Sequence, residues 1–113
     1  MTLDQKMNRI VARVLEKTRR GELEWEPTFT GDGFITSFPD ASVKVFREGG
    51  LTAVSLIDSS GIAIQTITQD RIEDAEGLFE LIELARRQGL QVEEKLDNVL
   101  QALEQEPPRA AAS

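Results

Sequence analysis

The chain has 113 residues, 40% of them apolar, and a formal net charge of −7. That is material for one hydrophobic core and too little length for two ordinary domains. Cysteine, histidine and tyrosine are absent, which excludes disulfides, thiol catalysis and the usual cysteine–histidine zinc sites, and leaves acid–base chemistry to carboxylates and lysines with strongly displaced pKa values.

The first predicted element is a helix. Thr2 and Gln5 have capping-box spacing, and Leu3, Met7, Ile10, Val11, Val14, Leu15 and Thr18 recur at three- and four-residue steps until Gly21 stops the run. Lys6, Arg9, Arg13, Lys17 and Arg20 form a second arc beside the apolar one, a basic ridge. Residues 1–21 hold six of the thirteen Lys/Arg against two acids, a local +4, so the rest of the chain carries −11. Such asymmetry points to two surfaces that meet, within the chain, in a dimer or with a partner.

The period then changes from 3.6 to 2. Leu23 and Trp25 alternate with Glu22, Glu24 and Glu26, a strand ended by Pro27. Turns at Gly31-Asp32-Gly33, Pro39-Asp40, Glu48-Gly49-Gly50 and 58–61 separate further strands at 34–38, 43–47, 51–57 and 62–67. This spacing predicts an antiparallel meander of four or five strands, with Trp25 packed where the first strand meets a helix. Ile35, Phe46, Ala63 and Ile67 are expected on its outer face, more apolar area than a solvated face normally shows.

Two helices follow. Asp70 and Glu73 predict a second capping box, opening a helix whose apolar stripe is Ile72, Ala75, Leu78, Phe79, Ile82 and Ala85. Gly89 followed by Leu90 predicts a left-handed cap. The last helix carries Val92, Leu96, Val99, Leu100 and Leu103 on one face and ends before Pro107-Pro108. The expected fold is α+β: an N-terminal helix, a four- to five-stranded antiparallel meander, and two C-terminal helices packed on one face of the sheet. Residues 1–106 are expected to form a single domain and 107–113 a disordered tail. With no signal-peptide pattern and no apolar run of membrane length, the expected setting is cytoplasmic, away from any membrane.

The motifs that carry catalysis are missing. Asp32, Asp40 and Asp58 lie in turns, where aspartate bonds its own backbone, and none has the alternating pattern of a calcium loop. Ser59 and Ser60 have no base to activate them, and Gly31 and Gly33 are not a nucleotide fingerprint. No catalytic residue, metal site or cofactor is assigned. The expected function is a non-catalytic protein-interaction module (adaptor, chaperone-like or regulatory) acting as a homodimer on a protein partner. Leu96, Leu100 and Leu103 would supply contact area, and Arg9 and Arg13 would select by charge. The alternative is binding of nucleic acid or another polyanion through Arg9, Arg13, Lys17 and Arg20, which the acidity of the whole chain disfavours.

Three stretches carry a resemblance: Thr18-x-x-Gly21-x-Leu23-x-Trp25, Ser55-Leu56-Ile57-Asp58-x-x-Gly61, and Leu81-x-x-Leu84-Ala85-Arg86-Arg87-Gln88. Together they are similar to small bacterial proteins with a leading helix, a meander and an Ala-Arg-Arg-containing C-terminal helix. That likeness covers about residues 10–104, implies a bacterial cytoplasmic origin and brings no catalytic residues. A looser likeness is to type III secretion chaperones, which are small, acidic, dimeric α/β proteins. Their dimerising helix lies between two groups of strands, whereas here the strands run uninterrupted from Leu23 to Ile67.

Overall fold

The computed structural model describes residues 1–105. Helix α1 (Leu3–Arg19) opens as its sequence predicts: the Gln5 amide donates to Thr2 Oγ1 at 3.1 Å, and the Thr2 amide donates to Gln5 Oε1 at 2.8 Å. It closes through Gly21, whose φ of 71° turns the chain so that the Gly21 and Glu22 amides donate to the carbonyls of Thr18 and Lys17, both at 3.0 Å. Met7, Val11, Val14, Leu15 and Thr18 form its buried face.

Five antiparallel strands follow in sequential order: β1 (Glu26–Pro27), β2 (Gly33–Ser37), β3 (Ala41–Glu48), β4 (Leu51–Asp58) and β5 (Ala63–Thr68). Gly49-Gly50 is a two-residue hairpin loop, and Glu48 stands opposite Leu51. Both glycines have positive φ, 59° and 83°, the primed-turn geometry that matches strand twist. Strand β1 is shorter than predicted. The Trp25 side chain is drawn back under α1, where its indole N–H donates to Thr18 Oγ1 at 3.1 Å, and sheet pairing starts only at Glu26.

Val43, Val45, Val54, Leu56 and Ile67 face the helices. The sequence expectation for Ile67 is therefore corrected: it is fully buried on the inner face. Between β4 and β5 the register slips, Leu56 facing Gln65 while Ile57 faces Ala63. The extra residue, Ile64, places Ala63 and Ile67 on opposite faces although their numbers share parity. On the outer face Phe46 lies between Gly33 and Ala53 in neighbouring strands, with Lys44 Nζ 4.7 Å from its ring centroid. Small neighbours and a covering lysine leave that ring 9% exposed, so the outer face covers its own apolar centre.

Helix α2 (Ala75–Gly89) starts later than the predicted Asp70/Glu73 box. Asp74 is its cap, accepting from the Gly77 amide at 2.9 Å, while the Arg71 and Ile72 amides close a turn on the Thr68 carbonyl at 3.0 Å and drop Ile72 into the core. Its buried stripe is Gly77, Leu78, Leu81 and Ala85; Phe79 is exposed. Gly89 is helical and is no left-handed cap. A Cβ there would lie 2.8 Å from Phe34 Cδ1, so glycine serves close packing on β2. The positive φ, 53°, falls two residues later at Gln91 and sets the exit of helix α3 (Val92–Gln105).

Helices α1 and α2 pack side by side over one core. Helix α3 departs from the expected packing on the sheet: it meets α2 lightly, and none of its residues is buried. The molecule measures 67 × 29 × 29 Å, with a radius of gyration of 17.8 Å, against about 13 Å for a compact chain of this length. A protruding arm accounts for the difference. Residues 106–113, with the expected tail, lie outside the described residues.

Candidate functional site

Helix α2 packs across β1 to β4, most closely on β2, and α1 runs beside it where Phe38, the start of β3 and the end of β4 come together. The result is a groove of about 610 Å³. Ile10 and Val14 form its wall on α1, and Phe38, Ala41, Val43 and Leu56 form its floor. Lys6, Arg9, Arg13 and Lys17 border it along α1, their aliphatic stems continuing the apolar lining while their charges reach solvent.

The basic ridge faces this groove and does not face α2. The acidic helix is met instead by Arg19, whose Nε and Nη2 donate to both Glu80 oxygens at 2.7 and 2.6 Å. That bidentate bond raises the Arg19 pKa and lowers that of Glu80. Arg71 Nη2 reaches Asp4 Oδ2 at 2.6 Å, and the Glu73 amide donates to Asn8 Oδ1 at 2.8 Å, holding the other end of α1.

Along the ridge, Arg20 is engaged by Glu16 at 2.6 Å and Glu22 at 3.6 Å, whereas Arg13–Glu16 and Lys17–Glu22 are long contacts at 3.8 and 3.9 Å. Lys6 and Arg9 have no ion-pair partner among the described residues. The predicted charge selectors Arg9 and Arg13 thus sit at the groove; of the further residues expected for a polyanion, Lys17 joins them and Arg20 is drawn away.

The other predicted site residues lie on α3. Leu96, Val99, Leu100 and Leu103 are 58%, 57%, 55% and 67% exposed. One chain therefore separates the two candidate surfaces: apolar stripe on the arm, basic-edged groove on the body. The ridge, Ile10 and Val14 were legible as neighbouring arcs on one helix. Phe38, Ala41, Val43 and Leu56 carry no sequence signal as groove residues, because their place on its floor depends on where α1 and α2 settle on the sheet.

On the outer sheet face, Asp32 accepts from Thr30 Oγ1 at 2.6 Å and Thr28 Oγ1 at 2.7 Å and pairs with Lys44 at 3.0 Å. Those hydroxyls, then the lysine, hold its carboxyl far below the usual range. A depressed carboxylate pKa stabilises the fold above the ordinary aspartate value of about 4, and that contribution fades as the pH falls below it. Asp32→Asn should cost about 1 kcal/mol at neutral pH, a difference that shrinks in acid; urea unfolding at pH 7 and pH 3 measures it.

Asp58 Oδ1 accepts from the Ser60 and Ile62 amides at 2.9 and 3.0 Å, as its turn requires. Among the described residues no three acids converge into a cation cage, and no helix is long and apolar enough to cross a membrane. Comparison with known proteins finds no matching family model, no similar curated protein and no similar solved structure.

Proposed function

We propose that this chain is a non-catalytic protein-interaction module whose groove between α1 and the sheet holds an acidic amphipathic helix of a protein partner. The observation that carries this reading is the groove itself: an apolar trough lined by Ile10, Val14, Phe38, Val43 and Leu56, with Lys6, Arg9, Arg13 and Lys17 along one edge. Helix-in-groove recognition needs an apolar trough for anchors at i, i+3, i+4 and i+7, and a charged edge selects which amphipathic helix enters. Histidine, the side chain that titrates near neutrality unperturbed, is missing from the composition, as are cysteine and tyrosine. A polyanion reading is less well supported, since the trough is mainly aliphatic, with Phe38 the one aromatic in its lining, and a phosphate chain gains little from an aliphatic floor.

The test is titration with a synthetic amphipathic helix bearing leucines on one face and glutamates along one edge, and with its lysine counterpart. The acidic peptide should move the methyl resonances of Ile10, Val14 and Leu56. Arg9→Glu/Arg13→Glu, at two exposed positions, should weaken binding by at least about tenfold and shift preference to the lysine peptide. Unmoved methyls, or equal binding of both peptides by both proteins, would refute the proposal.

A further inference from the structure

We infer that the groove's occupant is helix α3 of a second copy, so that two chains exchange arms about a two-fold axis. This rests on the groove reading above and names its partner. A 14-residue helix is marginal on its own in water, yet α3 stands clear of the body with its apolar stripe uncovered. An exposed stripe of leucines and an apolar trough in one molecule are the two halves of a self-complementary interface, which two-fold symmetry satisfies twice.

The charges agree with this pairing. Helix α3 carries four acids against one lysine. At about 100° per residue, Glu93, Asp97 and Glu104 fall along one edge of the Val92/Leu96/Val99/Leu100/Leu103 stripe, as Lys6, Arg9, Arg13 and Lys17 fall along one edge of the groove. The lengths agree as well. Lys6 to Lys17 and Glu93 to Glu104 are the same eleven-residue step, about 16 Å of helix. With their midpoints aligned, Asp97 lies level with Arg13 when the arm runs antiparallel, and one residue beyond Arg9, about 4.5 Å along the helix from Arg13, when it runs parallel. Within one chain, the left-handed turn at Gln91 sends α3 out along the 67 Å axis. An arm exchanged between copies is the arrangement in which domain swapping makes dimers.

Because the chain has no cysteine, the exchange can be read by cross-linking in trans. Arg13→Cys chains mixed with Asp97→Cys chains should give a mixed cross-linked pair under a short bis-maleimide, and Arg13→Cys alone should not. Sedimentation should show the wild-type chain as a dimer in the micromolar range and Leu100→Asp as a monomer whose groove-bearing body stays folded, since Leu100 is 55% exposed and lies outside the core. A wild-type monomer, a dimer untouched by Leu100→Asp, or absence of the mixed cross-link would overturn the arm exchange. The two readings fail separately. A monomer whose groove still takes the acidic peptide loses only the second copy, whereas a Leu100→Asp monomer whose groove ignores that peptide loses the groove reading itself.

Discussion

Trp25→Ala should lower the unfolding free energy by about 4 kcal/mol, the usual scale for emptying a buried tryptophan site. The side chain is 5% exposed and belongs to the main core. Its removal opens a cavity where α1, the end of α2 and the start of the sheet meet. The indole also satisfies Thr18, a fully buried residue whose carbonyl receives Gln88 Nε2 at 3.0 Å. Trp25 and Gln88 thus hang the C-terminal end of α1 on the rest of the fold. Trp25→Phe keeps most of the volume and loses the hydrogen bond, for a smaller cost of about 1–2 kcal/mol. Urea unfolding followed by circular dichroism separates the two variants, since the tryptophan signal itself is gone. Equal stability of all three proteins would mean that α1 is held elsewhere. The functional consequence follows from position: α1 is one wall of the groove, so the alanine variant should also bind an acidic helix more weakly than the phenylalanine variant.

How much of this was legible in the residues depends on how local each cause is. The first helix was fully readable, because the capping box at Thr2 and Gln5, the 3.6-residue spacing and the stop at Gly21 all lie within the segment they define. The meander was readable for the same reason, its turns being written in Gly49-Gly50 and Asp58. Strand faces were not fully readable, since one bulged residue at Ile64 reverses parity for everything before it. The start of α2 was misplaced because two acids compete as caps, and the Ile72 side chain settles the contest by entering the core. The ridge was visible, but its direction was not. Which arginine meets the acidic helix depends on how α1 and α2 cross, and that crossing assigns Arg19 to Glu80 and leaves Arg9 to the groove. The freedom of α3 hangs on one backbone angle at Gln91, which no pattern of apolar residues announces.

Gly33→Ala should destabilise the protein by about 3 kcal/mol, the upper part of the usual range for overpacking, whereas Gly89→Ala should change it by less than about 1 kcal/mol. Both glycines lie against β2 or within it, and both would place a methyl group too close to a neighbour. The difference lies in what the methyl meets. At Gly33 it is the Val45 carbonyl oxygen at 2.2 Å and the Phe46 Cβ at 2.6 Å, atoms fixed by the β2–β3 ladder. At Gly89 it is the edge of the Phe34 ring at 2.8 Å, a side chain that can turn, and a helical alanine recovers about 1 kcal/mol of backbone entropy. Thermal unfolding of the two variants beside the wild type decides this, and equal losses would contradict it. The Gly33 variant should also bind a hydrophobic dye while still largely folded, because the added methyl lifts Phe46 from the shallow seat between Gly33 and Ala53. That seat is why Phe46, at the centre of the outer face, offers a partner so little of its ring. With Phe46 beneath Lys44, apolar area for a partner remains in the trough under α1 and along the stripe on α3, each beside charges of opposite sign.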